Sequence, residues 1–283
     1  MKFRLTADKP TTALDLLKTL DVSSDKIKLQ LKKREVRVNG VRISENCALS
    51  AGDAVEIFVP QAFVRARQTA AVWEHNGVVV ADKPAGADIY RAAESLGAKP
   101  AHRLDRNTSG LVLLARDDDT LQKLEKAVKA RTVDKYYYAL AEGRLERGAT
   151  AVVYMKKDGD RALVTVSDRP EPGFKEAVTE YEPVGFVSRG ERFATLTRVR
   201  LITGRTHQIR AFFAHISHPL EGDGKYGRGG GGQKLVAYKL VLKGTGIAGV
   251  DGKTVELDYN DCLTRLEITD KELTAANPVR KMD

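Results

Sequence analysis

Apolar and polar residues alternate along the chain with two different periods. In the first 60 residues, apolar side chains at helical spacing predict a helix over 13–20, and Thr12 with Asp15 has the spacing of a capping box. A second helix is predicted to begin at 23–25, although the apolar residues from Ile27 to Leu31 alternate as they would in a strand. The segment VRVNGV that follows places Asn-Gly between valines, which predicts a tight hairpin.

The rest of the chain combines short apolar runs with longer amphipathic segments. We predict strands over 78–81, 111–115, 134–141, 176–181, 193–201 and 235–242, and helices over 117–130 and 206–216. Three consecutive tyrosines stand in the third of these strands, and alternation places Tyr137 on the face opposite Tyr136 and Tyr138. A glycine-rich run at 227–232 precedes a strand rather than a helix, so we predict a turn there and not a phosphate cradle.

The composition fits a globular protein with a polyanionic partner. The chain has 283 residues, of which 42% are hydrophobic and 30% charged, and its net charge is +9. Seven basic residues and one acidic residue fall within 26–42; this surplus suits RNA, although a solvated charged face has the same composition. No apolar run has the length of a membrane span, and the first residues lack a secretory signal core. The two cysteines lack metal or redox spacing. Together these features predict a cytoplasmic protein.

The strongest candidate for chemistry is one carboxylate, Asp105, in the segment HRLDRNTSG. Asp105 lies in a polar loop directly before the apolar run at 111–115, and a charged group mounted on rigid apolar structure is a common arrangement for a catalytic acid. On spacing alone, the favoured explanation is an ordinary loop Asp that caps neighbouring amides. The assignment to catalysis therefore depends on the wider pattern of motifs.

Four segments together resemble the RluA-like pseudouridine synthases. HRLDRNTSG is similar to the family's catalytic-loop signature, and LITGRTHQIRAFFAHISHPLEGDGKYG at 201–227 is similar to its other long motif. DKPAG at 82–86 resembles the first motif, and KYYYAL at 135–140 resembles a Lys-x-Tyr-x-Ala strand. The resemblance covers about residues 73–270. The first 60 residues resemble the alpha-L RNA-binding motif, in which a basic helix precedes a Val-x-Val-Asn-Gly hairpin.

The resemblance implies an α+β fold with a mixed, largely antiparallel central sheet and flanking helices, preceded by a small α/β RNA-binding domain. The implied boundaries are 1–60 for the alpha-L type domain, 61–72 for a linker and 73–283 for the catalytic domain. Two positions depart from the family pattern. Arg34-Glu35 stands where a glycine often precedes the hairpin, and Val236 stands where the family often has His.

The same resemblance makes Asp105 the essential residue, as nucleophile or general base, and Arg205 its cationic partner. Tyr137 is expected to stack on the uracil or to help remove the carbon 5 proton. No cofactor is implied because the isomerisation involves no redox change, and no metal is expected because the histidines at 207–218 lack companion ligands and suit loop-bracing hydrogen bonds. The predicted RNA contacts are Lys26, Lys28, Lys32, Lys33, Arg34, Arg37, His102 and Arg103.

The sequence thus predicts an RNA pseudouridine synthase that works as a monomer on structured RNA and flips its target uridine out of the stack. Ribosomal RNA of the large subunit is the favoured substrate, and tRNA is an alternative. A protein that only binds RNA through its basic first domain is the alternative from another class. Conversion of a uridine-containing transcript distinguishes the enzyme from the binding protein.

Overall fold

The computed structural model describes residues 2–20, 22, 24–59, 68–159, 163–230, 232–269 and 272–275. The chain divides into two compact units, Met1–Arg67 and Gln68–Asp283. Residues 61–67 of the predicted linker lie outside the described residues. The end of that predicted linker is corrected, because residues 70–72 belong to a strand in which Ala70 and Ala71 pair with Asp82 and Ala81 of the next strand, before the register shifts at Val72.

The described part of the first unit forms short strands around two amphipathic segments. Its elements are β1 (Lys2–Thr6), β2 (Thr11–Thr12), α1 (Ala13–Leu17), α2 (Ser24–Lys32), β3 (Val36–Val38), β4 (Val41–Ile43), β5 (Ala48–Leu49) and β6 (Ala54–Phe58). The strands pair antiparallel in the order β1-β6-β3-β4, and β2 pairs with β5. Buried apolar residues from both helices and the sheet form a core within this unit.

The second helix and the hairpin turn predicted for the first unit are confirmed, whereas the first helix ends at Leu17 and not at residue 20. Ile27 and Leu31 are buried one helical turn apart and Leu29 is exposed, so the ambiguous segment is a helix. Asn39 and Gly40 both have positive φ, 48° and 84°, as the predicted Asn-Gly hairpin turn requires. Arg34 has φ 58°, so a residue with a side chain adopts the left-handed conformation at the point where a glycine was expected.

The second unit is built around one large sheet. Its elements are β7 (Ala70–His75), β8 (Val78–Lys83), α3 (Ile89–Glu94), β9 (Lys99–Pro100), β10 (Ser109–Ala115), α4 (Asp118–Lys129), β11 (Asp134–Glu142), β12 (Ala149–Asp158), β13 (Leu163–Ser167), β14 (Lys175–Arg189), β15 (Arg192–Leu201), α5 (Gln208–His215), β16 (Leu235–Val241), β17 (Thr254–Glu256), α6 (Tyr259–Arg265) and β18 (Leu273–Ala275). Within the described residues, none of the helices is long and apolar enough to cross a bilayer.

The main path of this sheet runs β13-β12-β14-β15-β11-β16-β10-β8-β7. The neighbours are antiparallel except for β10 and β16, which run parallel. The predicted α+β fold with a mixed, largely antiparallel sheet is therefore confirmed. The two faces of β11 differ as its alternation predicts, because Tyr137 packs in the core that includes Phe212 of α5, whereas Tyr138 stacks on Tyr238 in another core, with ring centroids 4.0 Å apart.

Gly110 in β10 marks the point where two strands approach most closely. Its φ is 110°, and a Cβ atom there would lie 2.1 Å from the carbonyl oxygen of Ala237 in β16. At Gly110, a side chain is excluded both by the positive φ and by the lack of space beside β16. Because β10 follows the loop that carries Asp105, this contact fixes the end of that loop against β16.

Gly110→Ala should lower the free energy of unfolding of the second unit by roughly 2–6 kcal/mol, since it adds backbone strain to a clash with a main-chain atom. Urea unfolding followed by fluorescence measures the loss, because Trp73 is the chain's single tryptophan and lies in β7. Gly159→Ala is the matched control, because a Cβ atom at Gly159 meets nothing within 4 Å. Equal stabilities of the two variants would contradict the close approach of β10 and β16.

Candidate active site

Asp105 lies in a loop that is hydrogen-bonded to the strand following it. The Thr108 amide donates to the Asp105 carbonyl at 3.0 Å, and the Ala101 amide donates to the Leu113 carbonyl at 3.0 Å. The Nε2 atom of His102 accepts a hydrogen bond from the Leu113 amide at 3.1 Å. Burial lowers the pKa of His102 to about 3, so its ring is neutral and braces the loop on β10.

Lys83 anchors the same loop from its other side. This lysine is fully buried at the end of β8, and its ammonium donates to the carbonyls of Pro84 at 2.9 Å, Ala87 at 3.2 Å and Arg106 at 3.0 Å. Burial lowers the pKa of Lys83 to about 8, against the opposing effect of Asp105 and two other nearby carboxylates. Lys83 thus joins the DKPAG segment to the Asp105 loop, a role that its motif alone did not predict.

Arg210 is the arginine that contacts Asp105. Its Nη1 atom donates to Oδ2 of Asp105 at 2.8 Å, and its Nε and Nη2 atoms donate to the two carboxylate oxygens of Asp223 at 2.7 and 2.8 Å. The side chain of Arg210 is 7% exposed and that of Asp223 is fully buried. Burial alone would raise the pKa of Asp223, but the hydrogen bonds from Arg210 and from the amides of Lys225 and Tyr226 bring it below its usual range.

The predicted pairing of Arg205 with Asp105 is wrong in this structure. Arg205 precedes α5, and its Nε atom donates to the carbonyl of Glu176 at 2.8 Å. The helix predicted over 206–216 begins at Gln208, after His207 in a left-handed conformation, which places Arg210 in its first turn on the side of the sheet. The sequence carried a signal for this, because Arg210 lies three residues before Phe213, and residues three apart share one face of a helix.

Tyr137, the third predicted catalytic residue, lines the same cavity as Asp105. Tyr137 is 5% exposed, and burial, assisted by the charge of Asp105, raises the pKa of its phenol. His207 also approaches Asp105, with 3.9 Å between Nε2 and Oδ1, and its Nδ1 atom lies 2.8 Å from the hydroxyl of Tyr226. Burial lowers the pKa of His207, so this ring too favours its neutral form.

The cavity has a volume of about 440 Å³ and is strongly cationic. Asp105 is the only carboxylate among its described lining residues, whereas six basic side chains line it: Arg103, Lys129, Arg131, Lys135, Arg205 and Arg210. Val236, where the family often has His, points to the other face of the sheet and packs with Leu140 and Leu196. A side chain at 236 therefore does not reach the cavity, but Leu235 does.

The remaining predicted site residues fall into two groups. His102 and Arg103 line the cavity beside Asp105, and Arg103 is exposed. The others lie in the first unit, along α2 and the hairpin after it: Lys26, Lys28, Lys32, Lys33, Arg34 and Arg37. All of these except Lys26 are exposed, and Arg42, which was not predicted, joins Arg34 and Arg37 around a depression of about 220 Å³ beside the exposed ring of Phe58.

The other histidines of the long motif act as braces, as predicted. His215 contacts a carboxylate oxygen of Asp168, and His218 contacts the carbonyl of Glu142, each at 2.8 Å. Among the residues that the structure describes, no three His, Cys, Asp or Glu side chains are grouped as metal ligands.

Comparison with known proteins gives a consistent set of relatives. The sequence profile described as RNA pseudouridylate synthase matches residues 76–215. Ribosomal large subunit pseudouridine synthase C of Escherichia coli K12 is 31% identical over 77% of this chain and 74% of its own length, and that of Vibrio cholerae is 30% identical over 70% of each. An uncharacterized RNA pseudouridine synthase of Mycoplasma genitalium is 34% identical, but the match spans only 55% of its length.

Two solved human structures share the fold. RNA pseudouridylate synthase domain containing 1 superposes with a TM-score of 0.58 and 22% identity over 76% of this chain and 91% of its own. RNA pseudouridylate synthase domain containing 4 gives a TM-score of 0.56 and 19% identity over 73% of this chain and 94% of its own.

Arg210→Met should lower the free energy of unfolding of the second unit by about 3–5 kcal/mol, because it leaves Asp223 buried without a counter-charge. Arg205→Met removes one hydrogen bond to a carbonyl and should cost about 0.5–1.5 kcal/mol. Urea unfolding with Trp73 fluorescence compares the two variants. If Arg205→Met proved the more destabilising, Arg210 would not be the residue that holds the site together.

Proposed function

Because the chain belongs to the RNA pseudouridylate synthase family, we propose that it isomerises uridine to pseudouridine in structured RNA, with Asp105 as the catalytic carboxylate. One observation carries this proposal. Asp105, its arginine partner Arg210 and the buried ring of Tyr137 meet in one cavity that is otherwise cationic. The reaction breaks a carbon–nitrogen bond, turns the uracil and rejoins it through carbon 5, so its atoms balance without a cofactor.

Asp105 acts at the junction of sugar and base. Its side chain is 19% exposed, so one carboxylate edge faces the cavity while Arg210 holds the other oxygen. A carboxylate in this position can attack the substrate as a nucleophile or take a proton from it as a general base, and both roles fit the geometry. Asp223 fixes the guanidinium plane of Arg210 through two hydrogen bonds, so the arginine orients Asp105 before the RNA arrives.

Tyr137 contributes its ring rather than a charged oxygen. The raised pKa keeps its phenol protonated at neutral pH, which supports stacking on the uracil over removal of the carbon 5 proton by a phenolate. The target uridine has to leave the RNA stack to reach this buried ring. His102 and exposed Arg103 line the cavity beside Asp105, which supports their contact with the RNA around the displaced nucleotide.

The first unit supplies affinity for the RNA backbone. Its exposed lysines and arginines along α2 and the hairpin, with the ring of Phe58 beside them, suit phosphates and a stacked base. We assign residues 1–60 to this role and the rest of the chain to catalysis, in a monomer that acts in the cytoplasm. The names of the two rRNA synthases among its relatives support large-subunit ribosomal RNA as the substrate, with tRNA as the second candidate.

Asp105→Asn should reduce conversion of a large-subunit rRNA transcript by at least about 100-fold, because it removes the acid–base or nucleophilic group, while RNA affinity changes little. Asp168→Asn, which alters an exposed carboxylate outside the cavity, is the control. Mapping of pseudouridines in cellular RNA with and without the protein identifies the substrate. Wild-type conversion by the Asp105→Asn variant would refute the catalytic assignment, and modification confined to tRNA would replace rRNA as the substrate.

Replacing Lys32, Lys33 and Arg34 with Gln should weaken RNA binding and flatten its salt dependence. The slope of log affinity against log salt should fall by roughly 0.7–0.9 for each phosphate that the variant no longer binds. Turnover at saturating RNA should not change, since Asp105 lies in the other unit. Lys18→Gln, which removes a cation already paired with Asp15, is the control and should keep the wild-type slope. A triple variant with that same slope would show that these charges do not touch RNA.

A further inference from the structure

Lys135 is a buried cation that the mechanism above does not use. It is 9% exposed, yet its ammonium makes no hydrogen bond and no ion pair with the residues that the structure describes. Lys83, the other buried lysine near Asp105, instead donates to three carbonyls. The ammonium thus has no acceptor among the described residues although its side chain is mostly buried, and this burial lowers the pKa of Lys135. A lysine at such a position indicates a ligand that supplies the missing acceptor.

The position of Lys135 indicates where that ligand binds. Lys135 and Tyr137 are two residues apart on β11, so their side chains share one face of the strand, about 7 Å apart along it. Both line the cavity that contains Asp105. The Nζ atom lies over Gly204, where a Cβ atom would be 3.8 Å away, in ordinary contact.

The chemistry around Lys135 favours an anion. Exposed Lys129 and Arg131 stand in the same lining, and both come from the segment that leads into β11. The neighbouring carboxylate, Asp134, is occupied by Arg200 at 2.9 Å and Lys243 at 2.8 Å. Asp134 also lies on the opposite face of the strand from Lys135. This part of the cavity thus combines one buried and two exposed cations without a lining carboxylate of its own.

We propose that Lys135 binds a backbone phosphate of the RNA strand next to the uridine held between Asp105 and Tyr137. The inference rests on the proposed function for the identity of the ligand as RNA. Phosphodiester groups are the anions that RNA offers, and a charge-assisted hydrogen bond to one of them satisfies the buried ammonium. Lys135 is then a positioning residue, since it fixes the strand one step away from the base and so sets the depth to which the uridine enters.

The test compares Lys135→Met with Lys239→Met in the full chain. Lys239 lies on β16 opposite Tyr136, and its ammonium pairs with Glu256. Lys239→Met therefore removes one positive charge, as Lys135→Met does, but at a position outside the cavity. Lys135→Met keeps the aliphatic stem and removes an uncompensated buried charge, so its unfolding midpoint should equal or exceed that of the wild type. A clear fall in this midpoint would overturn the proposal, because it would mean that Lys135 has a structural partner.

Binding of fluorescein-labelled oligouridylate is measured at several salt concentrations. Lys135→Met should weaken binding about 10-fold and lower the salt slope by about 0.7, the value for one phosphate contact on a single strand, whereas Lys239→Met keeps the wild-type slope. This binding measurement does not require conversion of uridine, so it tests the phosphate contact even if the protein isomerises no uridine. An unchanged slope in Lys135→Met would overturn the proposal and leave a neutral acceptor, such as a uracil carbonyl, as the ligand.

A second arm uses an RNA that the wild-type protein converts. A neutral methylphosphonate is placed in turn at each linkage flanking the target uridine. At one linkage, the methylphosphonate should raise the KM of the wild type about 10-fold. At that linkage alone, the same substitution should leave the KM of Lys135→Met unchanged. If the methylphosphonate penalty persists in Lys135→Met at every linkage, the phosphate is bound by other residues. Failure of the wild type to convert any RNA would refute the proposed function and leave the oligouridylate arm to decide on Lys135.

Discussion

The bridge that Arg210 makes between Asp105 and Asp223 is the interaction on which the site depends. A guanidinium has a planar set of donors, and two of them are committed to a fully buried carboxylate, which leaves a third aimed at Asp105. A lysine could neutralise one of these carboxylates but could not fix the direction toward the other. The bridge also joins the loop of Asp105 to α5 and to the turn at Asp223, so contacts with buried residues set the geometry of Asp105.

Two main-chain contacts complete this support. Lys83 ties the carbonyl of Arg106 to the DKPAG segment, and Gly110 brings β10 against the backbone of β16. The loop that carries Asp105 is therefore held on both sides by residues of the sheet, Lys83 at the end of β8 and Gly110 in β10. Lys135 differs in kind from these supports, because the fold holds its ammonium in place without giving it an acceptor among the described residues.

Local signals in the sequence were sufficient for much of this architecture. The Asn39-Gly40 turn, the helix around Ile27 and the alternation about Tyr137 follow from short-range sterics and periodicity, and they were predicted correctly. The partner of Asp105 was not predicted correctly. The motif at 201–227 contains two candidate arginines, and the sequence does not say which of them the helix turns toward Asp105. The helix begins at Gln208, two residues later than predicted, and the arginine in its first turn, Arg210, contacts Asp105.

The burial of charged side chains was the other feature that could not be predicted from the sequence. Lys83 and Asp223 are charged residues in positions whose burial depends on contacts between distant segments, and no local pattern announces them. The boundary near residue 70 failed for a related reason. Strand β7 is recognised by its pairing with β8, whereas its own residues are mostly exposed and show no alternation of apolar and polar side chains.

The separation of Asp105 and Arg210 along the chain has a consequence for synthesis on the ribosome. These residues lie 105 positions apart, and Asp223 follows 13 positions later. At about 5–20 residues per second, Asp105 emerges some 5–20 seconds before the arginine that orients it. The first unit has its own core and can acquire structure while Asp105 still lacks its partner Arg210. The nascent protein therefore gains its basic surface before it gains a functional active site, because the site is incomplete until Arg210 and Asp223 have been synthesised.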